Sequence, residues 1–361
     1  MKKIIAFSFL SLSAGIAAAQ TNVTIYGVVD TGVEYVTNAN AAGQSLVRLP
    51  TQTGSTPSRL GFKGSEDLGD GYRALFVLEN GLALDTGASQ QGGRLFGRQA
   101  YVGIDGPYGT VTLGRIYNMT FLSLLDSDIL GGSIHEAANM DPYLPNARSD
   151  NAIGYLGKFS AVTVGATYSF GRDTATGGGP AATNCAGELA GDSKACRQWT
   201  TMLKYDLNNF GAAAAFDRMN GNTGASAPLS NSAFTDTRTS LNGYYKFGDA
   251  KIGLGWVGRK VMTTTNANTD LFFLGLSYRF SPAVVLDTQI GRLSGFISGN
   301  NATQLASRLT YSLSTRTSLY VSGVYLRNQQ NSAVSATGGS GATPGAGVNQ
   351  AAAMAGVRHR F

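Results

Sequence analysis

The chain has 361 residues, a formal charge of +6 at neutral pH and only 14% charged residues, with 48 glycines, nine prolines, 16 Tyr and 17 Phe. At about 150 residues per domain that length would accommodate two soluble domains. A chain this rich in glycine and aromatics and this poor in charge instead reads as strands and turns, and its dispersed basic residues leave no nucleic-acid footprint.

Lys2 and Lys3 precede a short apolar run from Ile4 to Ile16 and the small residues Ala17, Ala18 and Ala19. This pattern predicts a secretory signal peptide over 1–19, cleaved after Ala19, because the run is shorter than the ~18 residues of a spanning helix. Cleavage there would leave residues 20–361 as one domain with a formal charge of +4, both early lysines having gone. Nothing downstream reads as a membrane helix. A chain that nevertheless sits in lipid must close into a barrel, since only helices and closed barrels satisfy every backbone group there.

From position 22 onward the dominant signal is alternation with a period of two. Val23, Ile25, Val29, Val33 and Tyr35 share one face, against Asn22, Thr24, Tyr26, Asp30 and Glu34 on the other. The rhythm recurs around Val162–Phe170, Thr200–Leu207, Lys251–Arg259 and Gln304–Leu313. Sixteen strands are predicted, beginning near Val23, Leu60, Ala74, Ala100, Val111, Ile153, Val162, Thr201, Ala213, Leu241, Ile252, Phe272, Val284, Leu305, Leu319 and Ala353. A soluble sandwich alternates too, so the connections decide between the two architectures. Long polar stretches at 37–58, 80–96, 116–150, 172–197, 220–237, 262–270 and 329–350 alternate with short turns such as Asn208-Asn209-Phe210-Gly211. Long loops at one end and tight turns at the other point to a transmembrane barrel wide enough to enclose a channel. Tyr245, Phe247, Tyr278 and Phe280, beside turns, are candidates for an interfacial girdle.

Cys185 and Cys196 lie in one loop stretch, and in an exported chain they are predicted to form a disulfide. A two-cysteine metal clip lacks a nearby histidine, so no metal or cofactor is expected. The match of Gly253-x-Gly255-x-x-Gly258 to a dinucleotide fingerprint falls inside an alternating strand, where the required strand-to-helix turn is missing. A glycine there mainly leaves room. His135 and His359 are the only histidines, and a histidine-based triad would rest on His135 alone. Asp126 and Asp128, two apart in a loop, have no controlled separation for glycosidase work. The reading is therefore not an enzyme.

At the segments Val23-Thr24-Ile25-Tyr26-Gly27-Val28-Val29-Asp30, Ser58-Arg59-Leu60-Gly61-Phe62-Lys63-Gly64, Phe96-Gly97-Arg98-Gln99-Ala100-Tyr101-Val102-Gly103, Tyr108-Gly109-Thr110-Val111-Thr112-Leu113-Gly114-Arg115 and Val357-Arg358-His359-Arg360-Phe361, the chain resembles the trimeric general porins of Gram-negative β-proteobacteria, the neisserial and Burkholderia-type family. The resemblance implies an all-β, 16-stranded antiparallel transmembrane β-barrel in the outer membrane, with short periplasmic turns and long external loops. It implies a homotrimer among lipid and lipopolysaccharide, with Phe361 read as an assembly signal by the barrel-assembly machinery. It also implies a third loop, at 116–150, folded inward to narrow the pore. In that loop Asp126, Asp128, Glu136 and Asp141 would face Arg59, Arg98 and Arg148 on the wall, with Lys63 and Arg73 as further basic candidates. Strand parity aims Arg59 and Lys63 into the lumen. It aims Arg98 at lipid, so Arg98 is expected at a strand edge or beyond a bulge. The implied function is passive diffusion of small hydrophilic solutes and ions with an anion preference. The competing expectation is a substrate-specific channel of the same fold.

Overall fold

A computed structural model describes residues 22–51, 53–175, 182–295, 301–339 and 341–361. The leader expected at 1–19 lies outside the described residues. Sixteen long strands form one antiparallel sheet: β1 (Asn22–Val36), β2 (Arg59–Gly69), β3 (Tyr72–Gly81), β4 (Gln99–Gly106), β5 (Gly109–Tyr117), β6 (Arg148–Phe159), β7 (Val162–Ser169), β8 (Gln198–Leu207), β9 (Phe210–Asn220), β10 (Thr235–Phe247), β11 (Ala250–Met262), β12 (Ala267–Arg279), β13 (Val284–Gly295), β14 (Asn301–Ser312), β15 (Thr317–Gln329) and β16 (Gln350–Arg360). Each pairs with its neighbour in sequence, and a three-residue strand, Leu46–Arg48, adds to the upper edge of β1.

The sheet closes on itself. Val28 to Val36 of β1 pair with Arg360 to Ala352 of β16, so no edge is left to template aggregation or to strand backbone groups in lipid. The seam ends on Phe361, which exchanges both backbone hydrogen bonds with Gly27, at 3.0 and 3.1 Å.

The two faces sort as the alternation predicts, but inside out relative to a soluble protein. Val23, Ile25, Leu254 and Leu309 are 52, 61, 52 and 42% exposed on the outer surface. The polar residues Asp30, Thr200, Asp287 and Gln304 on the strands' opposite face are buried toward the lumen. Aromatic pairs mark the rims. Tyr245–Phe247, Tyr278–Phe280 and Tyr205–Phe210 cluster at the short-turn end, while Trp199–Phe216 and Tyr168–Phe170 sit toward the loop end. Tight turns such as Asn208-Asn209 use an asparagine in the left-handed region (φ 45° at Asn208), where its short side chain is tolerated.

Two loop expectations need correction. The stretch 262–270 is no long loop, because β11 runs to Met262 and β12 starts at Ala267. Thr263 to Asn266 make the turn, and the polar residues Asn268, Thr269 and Asp270 belong to strand that has left the hydrocarbon. Asp270 shares outward parity with Phe272 and accepts a hydrogen bond from the Trp256 indole at 2.7 Å, which places the membrane boundary between these positions. For the same reason 220–237 shrinks, since β10 begins at Thr235. Cys185 and Cys196 are joined by a disulfide within the loop after β7, with Cα atoms 5.3 Å apart.

Candidate pore constriction

The connection after β5 does not stay outside the barrel. Asn118 opens it by accepting the Phe121 N–H, capping a short helix, α1 (Met119–Leu124). The chain then follows the inner wall from β7 round to β15 and returns through two 3₁₀ turns (Ala137–Met140 and Leu144–Asn146) to β6. Four glycines on lumen-facing positions make the seat. A Cβ on Gly165 would lie 2.2 Å from Met119 Sδ, on Gly253 2.0 Å from the Ser127 carbonyl, on Gly275 2.7 Å from Ile129, and on Gly291 2.5 Å from Ala137. Gly253, part of the false dinucleotide fingerprint, is thus room for a loop. Leu130, Met140, Tyr143 and Leu144 of the loop pack with Val257, Leu271, Phe273 and Leu293 of the wall in the largest apolar cluster among the described residues. Each such side chain contributes roughly 1.5–3 kcal/mol on full burial, so the loop is a packed part of the protein.

The loop tip reaches the far wall. His135 sits between Glu34 of β1, at 3.1 Å, and Ser322 of β15, at 3.0 Å. The trio has the residue types of a hydrolytic triad. All three are buried, and none lines the cavity described next. They brace the tip.

Because the loop covers the wall from β7 to β15, the open lumen at this level lies against β1 to β6. A cavity of about 850 Å³ remains there. Arg59, Arg98 and Arg148 all line it. Glu79 of β3 organises the first two: Arg98 Nε donates to it at 2.7 Å, and Arg59 Nε lies 3.7 Å from its other oxygen, which also accepts from Tyr26 at 2.9 Å. Tyr117 organises the other side. Its hydroxyl accepts from Arg98 at 2.5 Å and Arg148 at 2.9 Å, and its ring lies 4.5 Å under the Arg148 guanidinium. The same ring stacks on Phe121 of α1 with centroids 4.1 Å apart, coupling wall to loop. Arg98 stands one residue before β4, and its N–H bonds the Glu79 carbonyl at 3.0 Å. At that strand edge the side chain turns inward despite its parity.

On the loop side only two of the four expected carboxylates line the cavity, Asp128 and Glu136. Asp128 accepts from Gln289 at 2.8 Å, and Glu136 accepts the Gly132 N–H. Burial pushes the Asp128 carboxyl up to about 6; burial, and then the charge of Asp128, push Glu136 well above the usual carboxylate range. Asp126 and Asp141 are elsewhere. Asp126 pairs with Lys204, and Asp141 forms a two-pronged pair with Arg238 at 2.7 and 3.0 Å, so both neutralise the wall the loop lies on rather than face the opening. Two basic candidates are also displaced. Lys63 faces the lumen nearer the short-turn end, 5.4 Å from the Tyr26 ring, and Arg73 lies beside the Asp70-Gly71 turn, its side chain 59% exposed and paired with Asp105 at 2.5 Å. The members the sequence reading missed are Glu79 and Tyr117. Only the register shows them: Gly61 pairs with Glu79, which sets that carboxylate between Arg59 and Arg98.

The region after the first strand also enters the lumen. Ser55 and Thr56 bind the Asp30 carboxylate, and the Ile134 N–H bonds the Gly54 carbonyl at 3.0 Å, so this segment clamps the loop tip. The cavity is bounded by both.

A family model described as Gram-negative porin matches residues 6–331 of the chain. An outer membrane porin protein of Bordetella pertussis is 30% identical across 91% of this chain and 94% of its own length. Outer membrane porin protein 32 of Delftia acidovorans is 29% identical across 100% of this chain and 99% of its own. Among solved structures, an anion-selective porin from Comamonas acidovorans superposes with a TM-score of 0.79 at 27% identity, covering 95% of this chain and 100% of that one. A closed sixteen-stranded barrel with an apolar exterior, a wet lumen and an inward third loop, matched by these relatives over nearly its whole length, makes this chain a member of the Gram-negative porin family, an outer-membrane channel for the diffusion of small hydrophilic solutes.

Proposed function

We propose that this porin prefers anions and that Arg59, Arg98 and Arg148 set the preference. The observation that carries the reading is the uneven charge around the cavity. Three guanidiniums line the cavity with only one wall carboxylate, Glu79, among them, and the facing loop presents two carboxyls whose raised protonation ranges leave them short of full charge at neutral pH. In a narrow aqueous passage walled by low-dielectric material, such an excess raises the local concentration of counter-ions. The relative from Comamonas acidovorans described as anion-selective supports the same reading. The test is the zero-current potential of the purified protein in a planar bilayer across a KCl gradient; a cation-selective sign would overturn it.

The loop carboxyls add a pH dependence. A carboxyl whose range is raised loses its charge as pH falls through the raised value, here about 6 for Asp128, which lies near Glu136, Gln289 and Arg308. Anion preference should therefore strengthen as pH falls from about 7.5 to about 5, a window in which an ordinary aspartate near 3.9 stays charged. Asp128→Asn should flatten the change, and an unaltered pH response in that variant would remove Asp128 from the account.

The assembly reading is a homotrimer embedded among lipid and lipopolysaccharide, reached through the family likeness and testable by cross-linking of the folded protein. Phe361 is read as the signal for the barrel-assembly machinery. Its ring lies over Gly27, where a Cβ would approach within 2.3 Å. Deleting Phe361 should lower the yield of heat-modifiable, folded protein in outer membranes several-fold, since both seam hydrogen bonds go with it; normal yield would argue against that role.

A further inference from the structure

Below the constriction, at the short-turn end, the lumen wall carries a second basic site. We propose that Arg316, Arg358 and Arg360 form a binding station for a phosphate-class oxyanion at the periplasmic mouth, the last protein contact of an anion leaving the pore. The proposal rests on the anion-preferring reading above and adds a ligand class and a place.

A cavity of about 360 Å³ opens between the last strands, lined by these arginines and the hydroxyls of Ser312, Ser314 and Ser318, with no carboxylate in its wall. The fold assembles it from simple parts. Arg358 and Arg360 are two apart on β16 and so share a face, and Arg358 stands opposite Ser318 of β15. Arg316, in the turn before β15, is drawn alongside because its carbonyl accepts the Arg360 N–H at 2.9 Å. Neither the Arg316 nor the Arg360 guanidinium has a protein acceptor among the described residues, and Arg358 donates to the Ser55 hydroxyl at 3.1 Å. Asp30, whose charge Arg358 feels, is already engaged by Ser55, Thr56 and Tyr320.

Gathering three cations around the single, already engaged charge of Asp30 costs free energy, and an oxyanion relieves that cost. A tetrahedral oxyanion suits the donor set, because guanidinium forks pair with two of its oxygens at a time and serine hydroxyls serve the rest. The volume admits phosphate together with water, at about 30 Å³ per water. The site is also linked to the constriction. Ser55, held by Arg358 through its hydroxyl and by Arg308 through its carbonyl at 3.1 Å, lies four residues before Arg59, so guanidiniums continue from the narrow zone to the mouth.

The test adds inorganic phosphate to one side of a bilayer at a time while chloride current is recorded through the full-length protein. Phosphate on the short-turn side should reduce the current at lower concentration than phosphate on the loop side. In Arg316→Ala/Arg360→Ala that concentration should rise about tenfold or more, with the sign of the KCl zero-current potential unchanged. Equal effects from both sides, or a one-sided effect that survives in the double variant, would overturn the station even in an anion-selective parent. A cation-selective parent would instead overturn the reading of the constriction, so the two failures are distinct.

Discussion

Arg59→Ala/Arg148→Ala should carry the channel from anion toward cation preference, the largest change in selectivity expected from any pair of substitutions. With all three arginines in place the wall holds three positive charges against Glu79, and the loop adds a partial negative charge at Asp128. Removing two leaves Arg98 bound to Glu79 as a neutral pair, with no other guanidinium lining the cavity across from the Asp128 charge. A unit charge about 4 Å from a passing ion contributes roughly 1 kcal/mol in water and about 4 kcal/mol at an effective dielectric of 20. Because the charge acts with opposite sign on anion and cation, even the lower figure changes their permeability ratio roughly thirtyfold per charge, so two charges suffice to change the sign. The effect should shrink as salt rises, since screening shortens to about 3 Å at 1 M. Arg73→Ala is the control. That side chain sits beside a short turn and is paired with Asp105, so its loss should leave the zero-current potential where it was. A double variant as anion-selective as the parent would move the selectivity filter elsewhere.

Much of this architecture is legible without a structure because it depends on local periodicity. Val23 and Ile25, or Leu254 and Leu309, announce an outer face whatever the rest of the chain does, and every predicted strand start falls inside an observed strand. What period-two reading loses is the part of a strand beyond the membrane. At Asn268 and Asp270 the outward positions meet water, so the apolar signal stops while the pairing continues to Ala267. The site is harder to read for a different reason. Asp126, Asp128, Glu136 and Asp141 look equivalent in sequence, and their fates are decided by partners far along the chain: Lys204, Gln289, the turn at Gly132, and Arg238. Arg59 is found by parity, whereas Arg98 is found only by its neighbours in the family segment, because a residue at a strand edge no longer obeys the alternation. Glu79 has no local signature. Its role comes from a cross-strand register, which fixes which carboxylate stands between which cations.

Asp141→Ala should loosen the constriction loop and raise conductance. The Arg238 side chain is fully buried, held by both oxygens of Asp141 and by Asp236 at 3.1 Å, with its guanidinium 4.2 Å from the Tyr143 ring. Asp236 cannot take over, since Arg259 already claims it at 2.7 Å. Truncating Asp141 therefore leaves a buried cation partly uncompensated, a change that costs about 3–5 kcal/mol in comparable settings. The returning arm of the loop carries that cost, because Asp141 also caps the turn through its contact with the Tyr143 N–H at 3.2 Å, and Tyr143 in turn anchors to Asp217. The barrel itself does not depend on this pair, since every strand keeps its ladder of backbone bonds. The expected signature is thus selective: larger and noisier single-channel steps and faster proteolysis within 118–147, with folded barrel retained on unheated gels. Should Asp141→Ala show the parent's conductance and the same resistance to protease, the loop must be held chiefly by its apolar seat over Gly253, Gly275 and Gly291, and substitution of those glycines by valine becomes the change that opens the pore.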